Sequence, residues 1–240
     1  HDLNPLNPDF DYPQASKNNL TDFGLPFLGD FYTGYITVNN DTGSKMFYIL
    51  YSAGGRLNPN SRINDTAPLI VVINGGPGGS GVAIQNWLGP YVVYQDENGT
   101  THWYESGLPW VDKYHCLYLD FPAGVGYSAY GGDDDKVHTS AEVGVQTEAF
   151  MRGFYDVFPT MRENKLYFAG ISYGGHSAPN MVAKIIENYD QNQIKVDGLF
   201  VMEGWIEAKY QVPSYSDYCY SVGLVDEKGK KEVGDLQGVV

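Results

Sequence analysis

The sequence predicts an α/β domain with a mostly parallel central sheet entered through an N-terminal antiparallel hairpin, and three observations predict it. Short apolar runs of strand length recur at Leu69-Ile70-Val71-Val72-Ile73, Cys116-Leu117-Tyr118-Leu119-Asp120 and Leu166-Tyr167-Phe168-Ala169. They are apolar at nearly every position, as strands buried on both faces are. Segments of helical period lie between and after the later runs, and strands alternating with helices imply a parallel sheet.

In chain order, residues 1–28 are rich in Pro and Asn and read as an extended arm. Gly34-Tyr35-Ile36-Thr37-Val38 and Met46-Phe47-Tyr48-Ile49-Leu50-Tyr51 flank Asn39-Asn40-Asp41-Thr42-Gly43, a hairpin around a turn. Gly54 to Ala67 is a polar loop before the 69–73 strand. The stretch from Gly79 to Pro90 reads as a poor helix. Thr139 to Phe158 carries Val143, Ala149, Phe150, Phe154 and Val157 near one stripe, a helix. After the 166–169 strand come a Gly-flanked turn, a helix from about Ser172 to Asn188, and a strand over Ile194 to Met202. The pattern weakens after Trp205, and the polar Val225 to Val240 reads as an exposed end.

Composition narrows the function classes. The 240 residues are 42% hydrophobic and 18% charged, which excludes general disorder. A net charge of −14 and a pI near 4.5 disfavour nucleic acid and anionic lipid as partners. No run approaches the roughly 18–20 apolar residues of a membrane span. The first residues, His1-Asp2-Leu3-Asn4-Pro5, show no signal segment. Four Asn-x-Thr acceptor triplets, at Asn19, Asn40, Asn64 and Asn98, point to a secreted or lumenal glycoprotein whose signal was removed. Cys116, in an apolar run, is expected to be a buried thiol. Cys219 is left to pair elsewhere. No His or Cys pair has zinc spacing, and Asp133-Asp134-Asp135 reads as a solvated loop, so no metal and no cofactor are expected.

Two loops carry the chemistry. Gly170-Ile171-Ser172-Tyr173-Gly174 stands between a strand and a helix. A Gly-x-Ser-x-Gly there suits a nucleophile elbow, a strained turn that lifts the Ser hydroxyl above the sheet. The helix N-terminus beyond it turns backbone N–H groups toward developing negative charge. Asn74-Gly75-Gly76-Pro77-Gly78-Gly79-Ser80-Gly81 follows the 69–73 strand and reads as an oxyanion loop. The competing reading is phosphate binding through Gly76-x-Gly78-x-x-Gly81. It is disfavoured because Pro77 removes an amide donor, the following segment is a poor helix, and no Gly-Lys-Ser/Thr ending is present. It would also leave the Ser172 elbow unused.

Three motifs in register, Asn74 to Gly78, Leu119-Asp120-Phe121-Pro122-Ala123-Gly124-Val125-Gly126-Tyr127-Ser128, and Gly170 to His176, closely resemble serine carboxypeptidases from about Tyr32 to Cys219. The resemblance implies the α/β-hydrolase fold with its C-terminal part missing from this chain. Residues 1–205 are then the N-terminal part of the hydrolase domain, and 206–240 the start of a helical insertion or cap. It further implies a secreted, lysosomal or vacuolar enzyme releasing C-terminal residues from peptides. Ser172 would be the nucleophile, the backbone N–H groups of Gly76 and Tyr173 the oxyanion hole, and Asn74 and Gly75 would hold the substrate's terminal carboxylate.

The sequence departs from that family at informative places. The family has Glu before the nucleophile and a second Glu after the Gly loop; here Ile171 and Trp87 stand at those positions. The family Cys of the Gly loop is replaced by Gly79, so one disulfide cannot form. On this fold the order is nucleophile, acid, His, yet no His follows His176. His176 itself falls one turn beyond Ser172, below the elbow, and is expected to be structural. The acid and the His are therefore expected on a separate C-terminal chain of the same precursor, cleaved near Val240. The expected partners are a peptide substrate, that C-terminal chain and, as an option, a second copy in a homodimer. Alternatives are an acyltransferase or esterase, or a catalytically silent binding or structural protein that kept the scaffold.

Overall fold

The computed structural model describes residues 14–20, 24–27, 29–107 and 109–237. One seven-stranded sheet organises them. β1 (Ser16–Asn18), β2 (Phe31–Thr37), β3 (Lys45–Tyr51), β4 (Leu69–Ile73), β7 (His115–Leu119), β8 (Leu166–Ile171) and β9 (Gly198–Met202) lie in the order β1-β2-β3-β7-β4-β8-β9. The first four in that order pair antiparallel; β7-β4-β8-β9 run parallel. The expected hairpin and parallel centre are both present. Among the described residues, the outer edge of β9 has no neighbour.

Period-2 alternation divides the core. Leu69, Val71 and Ile73 of β4 join Leu166 and Phe168 of β8 on one face, under Phe150 and Phe154 of α2 (Ser140–Val157) and Met181 and Ile185 of α3 (Gly174–Glu187). Ile70 and Val72, with Ala169 and Ile171, face the other side and meet Ile84 of α1 (Gly81–Leu88). Each such fully buried side chain contributes about 1.5–3 kcal/mol. Helix α2 begins on a capping box: the Glu142 amide donates to Thr139 Oγ1 at 3.3 Å, and the Thr139 amide donates to the Glu142 carboxylate at 2.9 Å.

Several expectations are corrected. The stretch after Gly79 is a helix, α1, because Ser80 caps it: its Oγ accepts from the Val82 amide at 3.0 Å. The last strand starts at Gly198, four residues later than Ile194. Asp197 instead folds back across Leu166, whose amide donates to its carboxylate at 3.0 Å. Tyr91–Gln95 (β5) and Thr101–Glu105 (β6) form a separate hairpin that the sequence did not announce. The polar end has no buried residue in Glu227–Gln237 (α7), in keeping with the expected exposed end; Ala208–Gln211 (α5) and Tyr215–Ser221 (α6) lie between it and β9, and the short α4 (Tyr189–Asn192) follows α3. Of the arm over 1–28, residues 1–13, 21–23 and 28 lie outside the described residues, as does the expected cleavage position at Val240.

Asp135 is no solvated loop residue. Its carboxylate accepts from Thr42 Oγ1, from Ser44 Oγ and, at 2.7 Å, from Asn39 Nδ2, clamping the β2–β3 turn. Partial burial pulls its carboxyl up, and these three hydrogen bonds outweigh it and hold the group below its ordinary value. Cys116 is fully buried, as expected, and burial pushes its thiol far up. Cys219 is a free, half-buried thiol. No group of three or more His, Cys, Asp or Glu among the described residues could hold a metal ion.

Candidate active site

The two chemical loops leave adjacent parallel strands at the same end. Ile73 of β4 and Gly170 of β8 are register partners, so the Gly loop and the elbow emerge side by side. Their contact needs glycine. A Cβ on Gly174 would stand 2.4 Å from the Ile73 carbonyl oxygen, and one on Gly170 would stand 2.3 Å from the Gly174 oxygen. A Cβ on Gly75 would stand 2.7 Å from both Ser172 Cβ and the Tyr173 amide nitrogen. The Gly-x-Ser-x-Gly spacing is thus a packing requirement of the strand–helix corner.

Ser172 has φ 56° in the left-handed region and is exposed. That conformation costs a non-glycine residue about 1–2 kcal/mol, and it is what turns the side chain out of the sheet. Neither the Gly76 nor the Tyr173 amide donates a hydrogen bond to another described residue, whereas the Gly75 amide donates to Asn74 Oδ1 at 2.8 Å. Asn74 Nδ2 in turn donates to the Ser80 carbonyl at 2.9 Å, pinning the loop. At the exit of that loop buried Asp120 accepts from Ser80 Oγ at 2.6 Å and from the Tyr127 amide at 2.8 Å. This explains the Leu119 to Ser128 motif: Asp120 ties it to the start of α1, and Gly126 leaves room for that carboxylate. It also gives a better reason than helix weakness against phosphate binding. The α1 N-terminus already faces a carboxylate, which repels a second anion.

Among the described residues, Ser172 Oγ has no hydrogen-bond partner. His176 does not serve it, since its Nε2 lies 2.8 Å from Ser140 Oγ and its Nδ1 2.8 Å from the Ile206 carbonyl oxygen. A ring held at both nitrogens in this way joins α2 to the segment after β9. A cleft of about 510 Å³ opens beside Ser172, with Gly75, Gly76, Ile84, Trp87 and Ile171 on its walls. Trp87 and Ile171, far apart in sequence, therefore meet in one place. Glu203, which sequence reasoning passed over, lines the same cleft in a left-handed turn at φ 48°. Its signal was the Glu203-Gly204 pair that ends an apolar strand.

The sequence profile described as "Serine carboxypeptidase" matches residues 23–238. The chain belongs to the serine carboxypeptidase family. This family member is 28% identical to a vitellogenic carboxypeptidase of Aedes aegypti over 96% of its own length and 46% of the relative's. It is 29% identical to the probable serine carboxypeptidase CPVL of Homo sapiens, over 83% of its length and 40% of that protein's. Its fold is that of KEX1(deltaP), a prohormone-processing carboxypeptidase of Saccharomyces cerevisiae. The TM-score is 0.68 at 23% identity, covering 84% of this chain and 44% of that one. The chain thus spans less than half the length of these relatives. No helix among its described residues is long and apolar enough to cross a membrane.

Proposed function

We propose that this chain supplies the nucleophile and oxyanion half of a serine carboxypeptidase-like hydrolase that cleaves residues from the C-terminal end of peptides through an acyl-enzyme at Ser172. One observation carries the reading. An exposed, left-handed Ser172 stands in contact with a glycine loop, beside the unengaged amides of Gly76 and Tyr173. Ser172 Oγ attacks the scissile carbonyl carbon and the two amides stabilise the oxyanion, a contribution of about 3–4 kcal/mol per donor in related chemistry. The C–N bond then breaks, the amine leaves with a proton, and water resolves the acyl-enzyme. Asn74 and Gly75 border the leaving residue and orient its terminus.

The acid and the His come from polypeptide outside residues 1–240, the C-terminal chain of the same precursor. The surface after β8 supports this. Leu199 and Phe200 of β9, and Tyr210, Tyr218, Leu224 and Leu236 beyond it, are exposed apolar side chains that further protein would cover. Residues 206–240 are the start of the cap. Asn19, Asn40, Asn64 and Asn98 are all exposed, which supports their glycosylation and a secreted, lysosomal or vacuolar location. Ile171 and Trp87 in the cleft are the observation behind a second reading, altered acyl transfer or ester hydrolysis. The test is fluorophosphonate labelling of the native, full-length protein, mapped to the Ser172 peptide, with Ser172→Ala as control. Labelling supports the hydrolase; no label in an intact protein supports the silent scaffold.

A further inference from the structure

The acceptor triplet Asn40-Asp41-Thr42 lies in the turn between β2 and β3 and borders a groove of about 480 Å³ between that turn and the start of α2. Exposed Asn40 and Asp41 stand on one wall, and half-exposed Val145 and buried Gln146 of α2 on the other. The volume is in the range of about 300–1,000 Å³ that ligand pockets occupy. The groove adjoins the β2–β3 end of the sheet, across β7, β4 and β8 from the open edge of β9.

The lining specifies an occupant. Gln146 is more than nine-tenths buried; its Oε1 accepts from the Ala123 amide at 3.0 Å, and its amide nitrogen donates to no described residue. A donor so placed gains from an acceptor brought into the groove. Val38 and Val145 add aliphatic surface, and the Asp41 carboxylate accepts hydrogen bonds. A neutral molecule with C–H faces, hydroxyl donors and an amide carbonyl matches all three, and that is the chemistry of an N-acetylhexosamine. Such a sugar bonded to Asn40 Nδ2 is already at the groove, so it fills it without the entropy cost of capture from solution. The timing of its attachment is also fixed by the fold. Thr42 Oγ1 donates to the Asp135 carboxylate, so the hydroxyl of this triplet is engaged once the turn closes, whereas Thr66 and Thr100 of two other triplets are exposed.

We propose that the glycan on Asn40 is a structural part of the domain, its first sugar seated between the β2–β3 turn and α2 against Val145 and Gln146. The inference rests on the reading of the chain as a glycoprotein and not on the chemistry of Ser172. Attachment precedes closure of the turn. Asn40 Nδ2 displaces the diphosphate from C1 of a lipid-linked oligosaccharide: the C1–N bond forms, the C1–O bond breaks, and the lipid diphosphate and one amide proton leave. When the chain folds, Asp135 takes the Thr42 hydroxyl, the acetamido carbonyl accepts from Gln146, and the sugar's C–H face covers Val145. The seated sugar then joins the turn to α2 and stabilises the folded state alone.

The experiment uses the full-length protein secreted from a eukaryotic host. A peptide-N-glycosidase is added to the native and to the denatured protein, and release is followed at each site by mass spectrometry. Native Asn40 is expected to keep its sugar at least about tenfold longer than Asn64 and Asn98, and to lose it at their rate once denatured. Val145→Asp, at an exposed helix position, is expected to remove most of that delay. Asn40→Gln is expected to lower the melting temperature by a few degrees, and Asn98→Gln to leave it unchanged. Release from native Asn40 as fast as from Asn98, a delay unmoved by Val145→Asp, or an unchanged melting temperature in Asn40→Gln overturns the seat and leaves the glycoprotein reading standing. So does a bare Asn40 beside glycosylated Asn64 and Asn98. Bare asparagine at all three positions overturns the two readings together.

Discussion

Gly204 lies with its backbone directly on that of Gly175: a Cβ on Gly175 would stand 2.7 Å from the Gly204 Cα. The turn after β9 is therefore pressed against the first turn of α3, immediately behind Ser172. Replacing Gly175 by Ala forces the two backbones apart, and overpacking of this kind costs about 1–3 kcal/mol. The expected outcome for Gly175→Ala is a lower urea midpoint together with a marked fall in the rate of Ser172 labelling. Unchanged labelling would show that the elbow does not depend on this contact.

Ser172 trades stability for exposure. Glycine adopts φ 56° without the penalty a Cβ brings, so Ser172→Gly is expected to be inert to fluorophosphonate and more stable than the parent by about 1 kcal/mol. Urea unfolding of the two proteins side by side measures this. Equal midpoints would mean the turn is relaxed.

His176 is a strut rather than a base. Removing its ring leaves Ser140 Oγ and the Ile206 carbonyl without their partner, a loss of about 0.5–1.5 kcal/mol per hydrogen bond. His176→Ala is expected to lower the melting temperature and to keep labelling of Ser172 within an order of magnitude. Total loss of labelling at unchanged stability would assign His176 to the chemistry instead.

Buried His115 makes the fold sensitive to acid. Its Nδ1 accepts from the Ala53 amide at 3.0 Å and its Nε2 lies 3.0 Å from the Asp65 carbonyl oxygen, a pairing that fixes the neutral ring with its hydrogen on Nε2. Burial, the dominant cause, lowers its pKa below 6.5. The unfolded ring thus takes up its proton first. The stability this provides is complete above about pH 6.5 and is lost as pH falls from there toward the folded value. Urea midpoints measured from pH 8 to 5 should decline, and His115→Gln should flatten the decline. A parallel slope in the variant would remove His115 as the cause.

The central strands and the elbow were legible because their signals are local. Leu69 to Ile73 and Leu166 to Ala169 are short apolar runs, and Gly170 to Gly174 carries its own packing rule. Helix α1 was hidden because it is only eight residues long and is bounded by Gly79, Gly89 and Pro90, which read as loop. The β5–β6 hairpin was hidden because most of its positions are exposed, so no face accumulates apolar residues. Asp135 and Glu203 could not be placed at all from their neighbours in sequence. One finds its partners more than 90 residues away in the β2–β3 turn, and the other reaches the cleft only through the pairing of β8 with β9.

The bare rim of β9 has a practical consequence. Among the described residues β9 ends the sheet, and its outer edge, flanked by Leu199 and Phe200, is a template on which another extended segment can add. Produced alone, these 240 residues should self-associate and precipitate as they refold.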